Sequence, residues 1–369
     1  MDHLLTTVLV TVVRGGWSPG DLAEITCRRL SGGHVPELAA LLTAERDRHP
    51  RDRVPAAWRE DLARLGTSQP VDLRTRAGLE QALGLAGLCT VLPAISVLIP
   101  PPGTTATRQV MAGGRSDDRQ LARVRALLAK AESTEFEDEA EALSAKAQEL
   151  ISRYALGRLV EEGELASEQV PVSARRIWID APYVFAKALL IAAVASANRC
   201  ESVVAEELGF CTVIGEHSDL DAVELLSTSL LVQANTAMLR HGRQADRGGT
   251  SRTSSFRRSL LIAYATRIGE RLRAATGEAT ERSGRAGELV PVLARREQRV
   301  TAARDQLFPQ LRRRATSISN GPGWAAGGRR LTSRSWTPTG RSPPLPDDRA
   351  PDRPGQRRTR SGNDTAPNG

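Results

Sequence analysis

The residues best equipped for chemistry are Glu216-His217-Ser218-Asp219, with Asp221 two positions further on. A histidine beside carboxylates can move protons near neutral pH. His217, Asp219 and Asp221 are also the donor types that hold a divalent metal for assisted hydrolysis. The group lies between a run of strand character and the start of a helix, where catalytic loops often sit. A structural reading competes with this one. Ser218 is a good helix N-cap, and Asp219, Asp221 and Glu224 suit the positive end of a helix. No second ligand group accompanies them. The five His (3, 34, 49, 217, 241) form no HExxH or other ligand pair, so no metal and no cofactor is assigned.

Two further groups have candidate chemistry. Arg252, Arg257 and Arg258 follow a Gly-Gly-Thr-Ser loop, and donors at a helix start can hold phosphate. They are the candidate nucleic-acid contacts, against the plain reading of a solvated charged loop. No GxxxxGK[ST] run accompanies them. Lys130, Glu132, Ser133 and Thr134 sit where one helix should end and the next begin. They can meet a partner, or simply close one helix and cap the next. No Ser/His/Asp or Cys/His arrangement has a recognisable spacing.

The elements that must position these groups are mostly helical. The chain has 369 residues, 40% of them hydrophobic but only 4% aromatic, so its core is Ala, Leu, Val and Ile. Leu4, Leu5, Val8, Leu9 and Val12 repeat with helical spacing. Ser18-Pro19-Gly20-Asp21 starts a second helix with an N-cap, a first-position Pro and an acid in the first turn. A third start lies at His34-Val35-Pro36-Glu37. Trp17 and Trp58 are expected core anchors. Two short helices joined by a Gly turn have the form of a DNA-reading helix-turn-helix, although helix pairs occur in any helical domain. Leu83–Ile99 is an apolar run shorter than the ~20 residues that span a bilayer, and Pro93 interrupts it. It reads as a buried helix leading into a Pro-rich linker. The N-terminus has no basic cap before its apolar stretch, so neither signal peptide nor membrane span is expected, and a cytoplasmic protein is.

Residues 117–156 read as a helical hairpin. Leu121, Val124, Leu127, Leu128 and Ala131 mark the inner face of its first helix. Ala140, Leu143, Ala147, Leu150, Ile151 and Tyr154 mark that of the second. Thr134 to Glu137 matches a capping box. So small a unit cannot stand alone and must pack on something. Residues 172–310 read as an α+β domain: a buried Ala-rich helix over 183–198, a hairpin of CESVVAE and FCTVIG around Leu208-Gly209, then helices over 218–241, from Ser254 or Ser255, and over 288–308. Cys27, Cys89, Cys200 and Cys211 show no CxxC spacing and read as reduced, buried thiols.

The charge distribution narrows the partners. The net charge of +8 would suggest nucleic acid, yet residues 312–369 hold 12 Arg against 4 Asp and so contain all of it. The rest of the chain is neutral. The tail has few large apolar residues and cannot bury enough surface to offset its ordering entropy, so 311–369 is expected to be disordered.

The run LLAKAEST at Leu127–Thr134, followed by EAEA at Glu139–Ala142 and continuing to Leu150, resembles the bacterial and phage family known as domain of unknown function 2786. The resemblance covers Arg119 to Leu156. Relatives carry a companion domain similar to 172–327, with stretches like VIGEHSDLDAVELL and FRRSLLIAYATRIGERL. The resemblance implies this arrangement and no activity, so it assigns no catalytic residue. From Gly328 the chain departs from the family's Ala-rich ending, which implies an unrelated or out-of-frame tail.

The expected organisation is a helical N-terminal domain over 1–100, a Pro/Gly linker over 101–116, the hairpin, the α+β domain and the tail. The favoured function is a non-enzymatic interaction module whose partner is a protein or nucleic acid. A metal-assisted hydrolase or nuclease at His217, Asp219 and Asp221 is the alternative.

Overall fold

The computed structural model describes residues 2–66, 71–104, 118–167, 170–240, 253–315 and 332–335. The first part is five helices: α1 (Asp2–Arg14), α2 (Pro19–Arg29), α3 (Val35–Asp47), α4 (Ala56–Leu65) and α5 (Arg76–Val91). The start of α2 follows its sequence signal. Ser18 Oγ accepts from the Asp21 backbone N–H, the Asp21 carboxylate reaches back to the Ser18 N–H, and Pro19 opens the helix. Trp17 and Trp58 are fully buried among Leu5, Leu9 and Val12, whereas Leu4 faces out. The apolar run after Leu83 is α5 followed by extended chain, and the Trp17 indole donates to Pro93 O at 2.8 Å. Among the described residues no helix is long and apolar enough to cross a membrane.

The hairpin is α6 (Asp118–Ser133) and α7 (Glu137–Ser167). α7 runs eleven residues past the expected end at 156, because no proline stops it before Pro171. The turn also differs from the expected capping box. Thr134 Oγ accepts from the Phe136 N–H and donates to the Glu139 carboxylate at 2.6 Å, so Thr134 ties the turn without being the N-cap.

The remainder is β1 (Val172–Trp178), α8 (Val184–Ala197), β2 (Glu201–Ala205), β3 (Phe210–Glu216), α9 (His217–Arg240), α10 (Thr253–Arg282), α11 (Ala286–Leu307), β4 (Arg312–Ala315) and β5 (Thr332–Ser335). The strand order is β1-β3-β2-β5-β4. β2 and β3 form the expected hairpin, turned by Gly209 at φ +80°, and β5 lies parallel to β2. β1 was not legible in the sequence. It pairs along its whole length with β3, from Val172 opposite Glu216 to Trp178 opposite Phe210. The disorder expected for 311–369 falls mostly outside the described residues. Within that stretch, β4 and β5 form the far edge of the sheet.

Alternation sends neighbouring residues to opposite faces. Ile177, Val204, Cys211 and Val213 face the main core with α8, α9, α10 and the hairpin. α8 is buried on nearly all sides, and Gly269 lets α10 approach it closely, since a Cβ there would lie 3.0 Å from the Ala193 Cβ. Val203 and Ile214 face the other way, onto Val300 and Phe308 at α11. Further along that same face, Trp178, Ala205 and Phe210 join the N-terminal helical core. The second face of the sheet is thus shared between α11 and the N-terminal helices.

Arg176 sits where those two meet. Its side chain is buried, ion-paired with Asp21 of the α2 cap, and donates to Ser96 O. Its guanidinium lies 5.4 Å from the Phe210 ring centroid. Ser96 Oγ in turn donates to Leu307 O at 2.8 Å, at the end of α11.

Candidate functional site

Glu216 ends β3 and His217 begins α9, so Ser218 lies inside the first turn and is not the N-cap expected for it. The structure divides the candidate residues among three ion-pair systems. Glu216 is buried between Arg296 at 2.6 Å and Arg299 at 3.1 Å, both from α11. Burial pushes its carboxyl up to about 7, with Arg296 pulling the other way and Asp219 adding to the rise. Asp219 is buried against Arg199, which it engages through both oxygens. Arg199 holds a left-handed φ of +59°, uncommon for a side chain of its size, in the turn before β2. Asp221 pairs with Arg175 of β1 at 2.9 Å, and its other oxygen is 3.7 Å from His217 Nε2. His217 and Asp221 share one side of α9, while Asp219 points to the β2 turn. Among the described residues no three His, Cys, Asp or Glu side chains are placed to share a metal ion.

Sequence reasoning missed the arginines here. Arg175, Arg199, Arg296 and Arg299 lie between 20 and 83 residues from their acids. What they build is a clamp. α11 is held on the sheet by Glu216 and by Glu201, which takes Arg304 at 3.0 Å. The N-terminal end of α9 is held to β1 and to the α8–β2 turn.

Arg252 lies outside the described residues. Arg257 is half-buried and Arg258 exposed, both in the early turns of α10.

The hairpin turn is better defined. Lys130 pairs with Glu139 at 3.2 Å, and Ser133 Oγ donates to Lys130 O. Glu132 is exposed. The Thr134 hydroxyl and Lys130 hold the Glu139 carboxyl below its usual range.

On α7 the structure corrects the inner face. Its most buried positions include polar residues: Glu141, Ser144, Gln148 and Ser152, spaced three, four and four apart on one stripe. Ala140, Leu143, Leu150 and Tyr154 are only half-buried beside them. Every member of the stripe meets a partner from another helix. Gln148 exchanges hydrogen bonds with Asn198 at 3.0 and 3.1 Å and donates to Thr276. Ser152 also reaches Thr276. Ser144 bonds Gln233, which bonds Ser229. Glu141 takes Arg267 and Arg271 from α10, the latter at 2.7 Å, and burial raises its carboxyl above the usual range.

The family comparison falls on this stripe. Residues 119–158 match the family described as Protein of unknown function (DUF2786). No curated protein and no solved structure matches the chain. The match spans α6, the turn and the part of α7 that bears the polar stripe. It ends before β1, so a companion domain over 172–327 is not part of it. The polar stripe within the matched motif therefore serves to dock α7 against α8, α9 and α10. One large apolar residue of the motif does not. Phe136, in the turn, is 73% exposed.

Proposed function

We propose that the protein is a non-enzymatic interaction module that presents its hairpin turn, centred on Phe136, to a partner. The observation behind this reading is the exposure of Phe136 inside a motif whose other prominent side chains are engaged within the fold. An aromatic ring left in water at a turn costs solvation without stabilising the fold, and such residues are typical anchors of binding surfaces. The ion pairs at Asp219, Asp221 and Glu216 favour a structural role for the group that metal-assisted hydrolysis would need.

The test is site-specific photo-cross-linking in the native cell, with the reactive side chain at position 136 and, as control, at exposed Ala126 on α6. The reading expects a discrete adduct from 136 and none from 126. Equal labelling from both, or none from 136, overturns it. Nucleic acid is the second reading, supported by the 12 Arg against 4 Asp of 312–369. A chain ending at Gly327, titrated with duplex and single-stranded DNA across a salt series, separates the two. Binding that survives truncation and falls steeply with salt would favour a phosphate-contacting surface in 1–327.

A further inference from the structure

Four polar side chains converge on one pocket at the open end of the hairpin, opposite its turn. Gln120 comes from the start of α6, Tyr154 and Arg158 from α7, and Ser218 from the first turn of α9. All four are half-buried, and none has a hydrogen-bond or ion-pair partner among the described residues. The polar stripe on the same helix, by contrast, is partnered throughout. Val124 and Ile151 add apolar wall. An apolar pocket with a few convergent polar groups is the usual form of a small-ligand site.

The lining also has a defined charge. Asp219 belongs to it, but Arg199 grips both of its oxygens, and Asp221 further along α9 is taken by Arg175. Arg158 is the charge of the lining left without a counter-ion among the described residues. The cavity measures about 40 Å³. That is room for roughly three water-sized groups, which suits an oxyanion and is too little for a sugar or a base.

We infer that this pocket binds a phosphate group. The Arg158 guanidinium presents a fork to two oxygens, and Gln120 and Ser218 add donors from two further helices, with the Tyr154 hydroxyl beside them. A carboxylate offers two oxygens in one plane. A tetrahedral phosphate has an oxygen for each of the three helices, and so bridges α6, α7 and α9. Free phosphate and a phosphate monoester share this chemistry.

The test is isothermal titration of the full chain with sodium phosphate, glycerol phosphate and sodium acetate, at one pH and constant ionic strength. Wild type is compared with Arg158→Gln and with Tyr154→Phe, which removes a single hydroxyl. Circular dichroism checks that both are folded, and if Arg158→Gln is not, Tyr154→Phe decides. The Arg-rich tail is present in all three proteins, so differences among them report the pocket. The expected result is phosphate binding by wild type, weakened about tenfold or more in Arg158→Gln and by a smaller factor in Tyr154→Phe, with acetate bound about tenfold more weakly than phosphate. Glycerol phosphate bound as tightly as phosphate identifies a monoester as the ligand class, and its exclusion identifies the free anion; either supports the site. No phosphate binding, equal affinity in wild type and the folded variants, or acetate bound as tightly as phosphate overturns the inference.

Discussion

Replacing Arg176 with Met should be among the most destabilising single changes in this fold. The methionine keeps the length and the packing of the stem but removes the charge. It leaves the Asp21 carboxylate buried, with only the Ser18 hydroxyl at 2.7 Å and the Ser18 N–H at 3.3 Å to hold it. Breaking a buried pair by removing one partner typically costs about 3–5 kcal/mol. The lost bond to Ser96 O and the contact with the Phe210 ring would add about 1 kcal/mol each, and the surviving Ser18 bonds pull the total back toward about 4 kcal/mol. The assay is guanidinium unfolding followed by tryptophan fluorescence. Trp17, Trp58 and Trp178, three of the five tryptophans, lie in or against the N-terminal core that Arg176 joins to the sheet, so much of the signal reports that junction. Adding Asp21→Asn to Arg176→Met should restore about 2 kcal/mol or more, since it removes the stranded charge. A loss below about 1 kcal/mol for Arg176→Met, or a double variant equal to the sum of the two singles, refutes the reasoning.

Other consequences follow from the same geometry. The Glu216 carboxyl, raised to about 7, keeps its proton in the folded state after the unfolded chain has lost it, so stability is present below pH 4.5 and declines as pH rises toward 7. The loss is at most about 3 kcal/mol, and Glu216→Gln should flatten that slope in unfolding curves taken at pH 5 and pH 8. Gln148→Leu removes both of its bonds with Asn198, whose amide keeps only Val194 O, and should cost about 2–3 kcal/mol, with partial recovery in Gln148→Leu/Asn198→Leu; a neutral single variant contradicts the network. Cys27 is exposed and should react quickly with a maleimide. Cys89, Cys200 and Cys211 should react only on unfolding, since burial raises Cys89 to about 11, Cys211 to about 12 and Cys200 well above its usual value. Mass spectrometry of the labelled peptides decides this.

Local signals in the sequence carried far, and long-range pairing did not show in them. The start of α2 was legible because Ser18, Pro19 and Asp21 act within four residues. The β2–β3 hairpin was legible because Leu208-Gly209 separates two β-branched runs. Cys27 was read as buried, yet it faces solvent on α2. β1 was missed because VSARRIW shows no alternation. Its adjacent arginines are accommodated only because Arg175 finds Asp221 on one face and Arg176 finds Asp21 on the other. The stripe Glu141, Ser144, Gln148, Ser152 has the spacing of a solvent-facing stripe. Only its partners on α8, α9 and α10, Asn198, Gln233 and Thr276 among them, turn it inward. At the candidate site the residue types suggested chemistry, and the distant arginines that occupy them left no local trace.

The central claim is that Phe136 is displayed to a partner while the other large apolar side chains of its motif are buried or half-buried. Guanidinium unfolding of Phe136→Ala beside the wild type tests it most directly. An exposed side chain changes stability by no more than about 0.5 kcal/mol, so the two midpoints should nearly coincide. A loss of about 3 kcal/mol or more, the range for a buried Phe, would mean that the ring is packed in solution and would contradict the account.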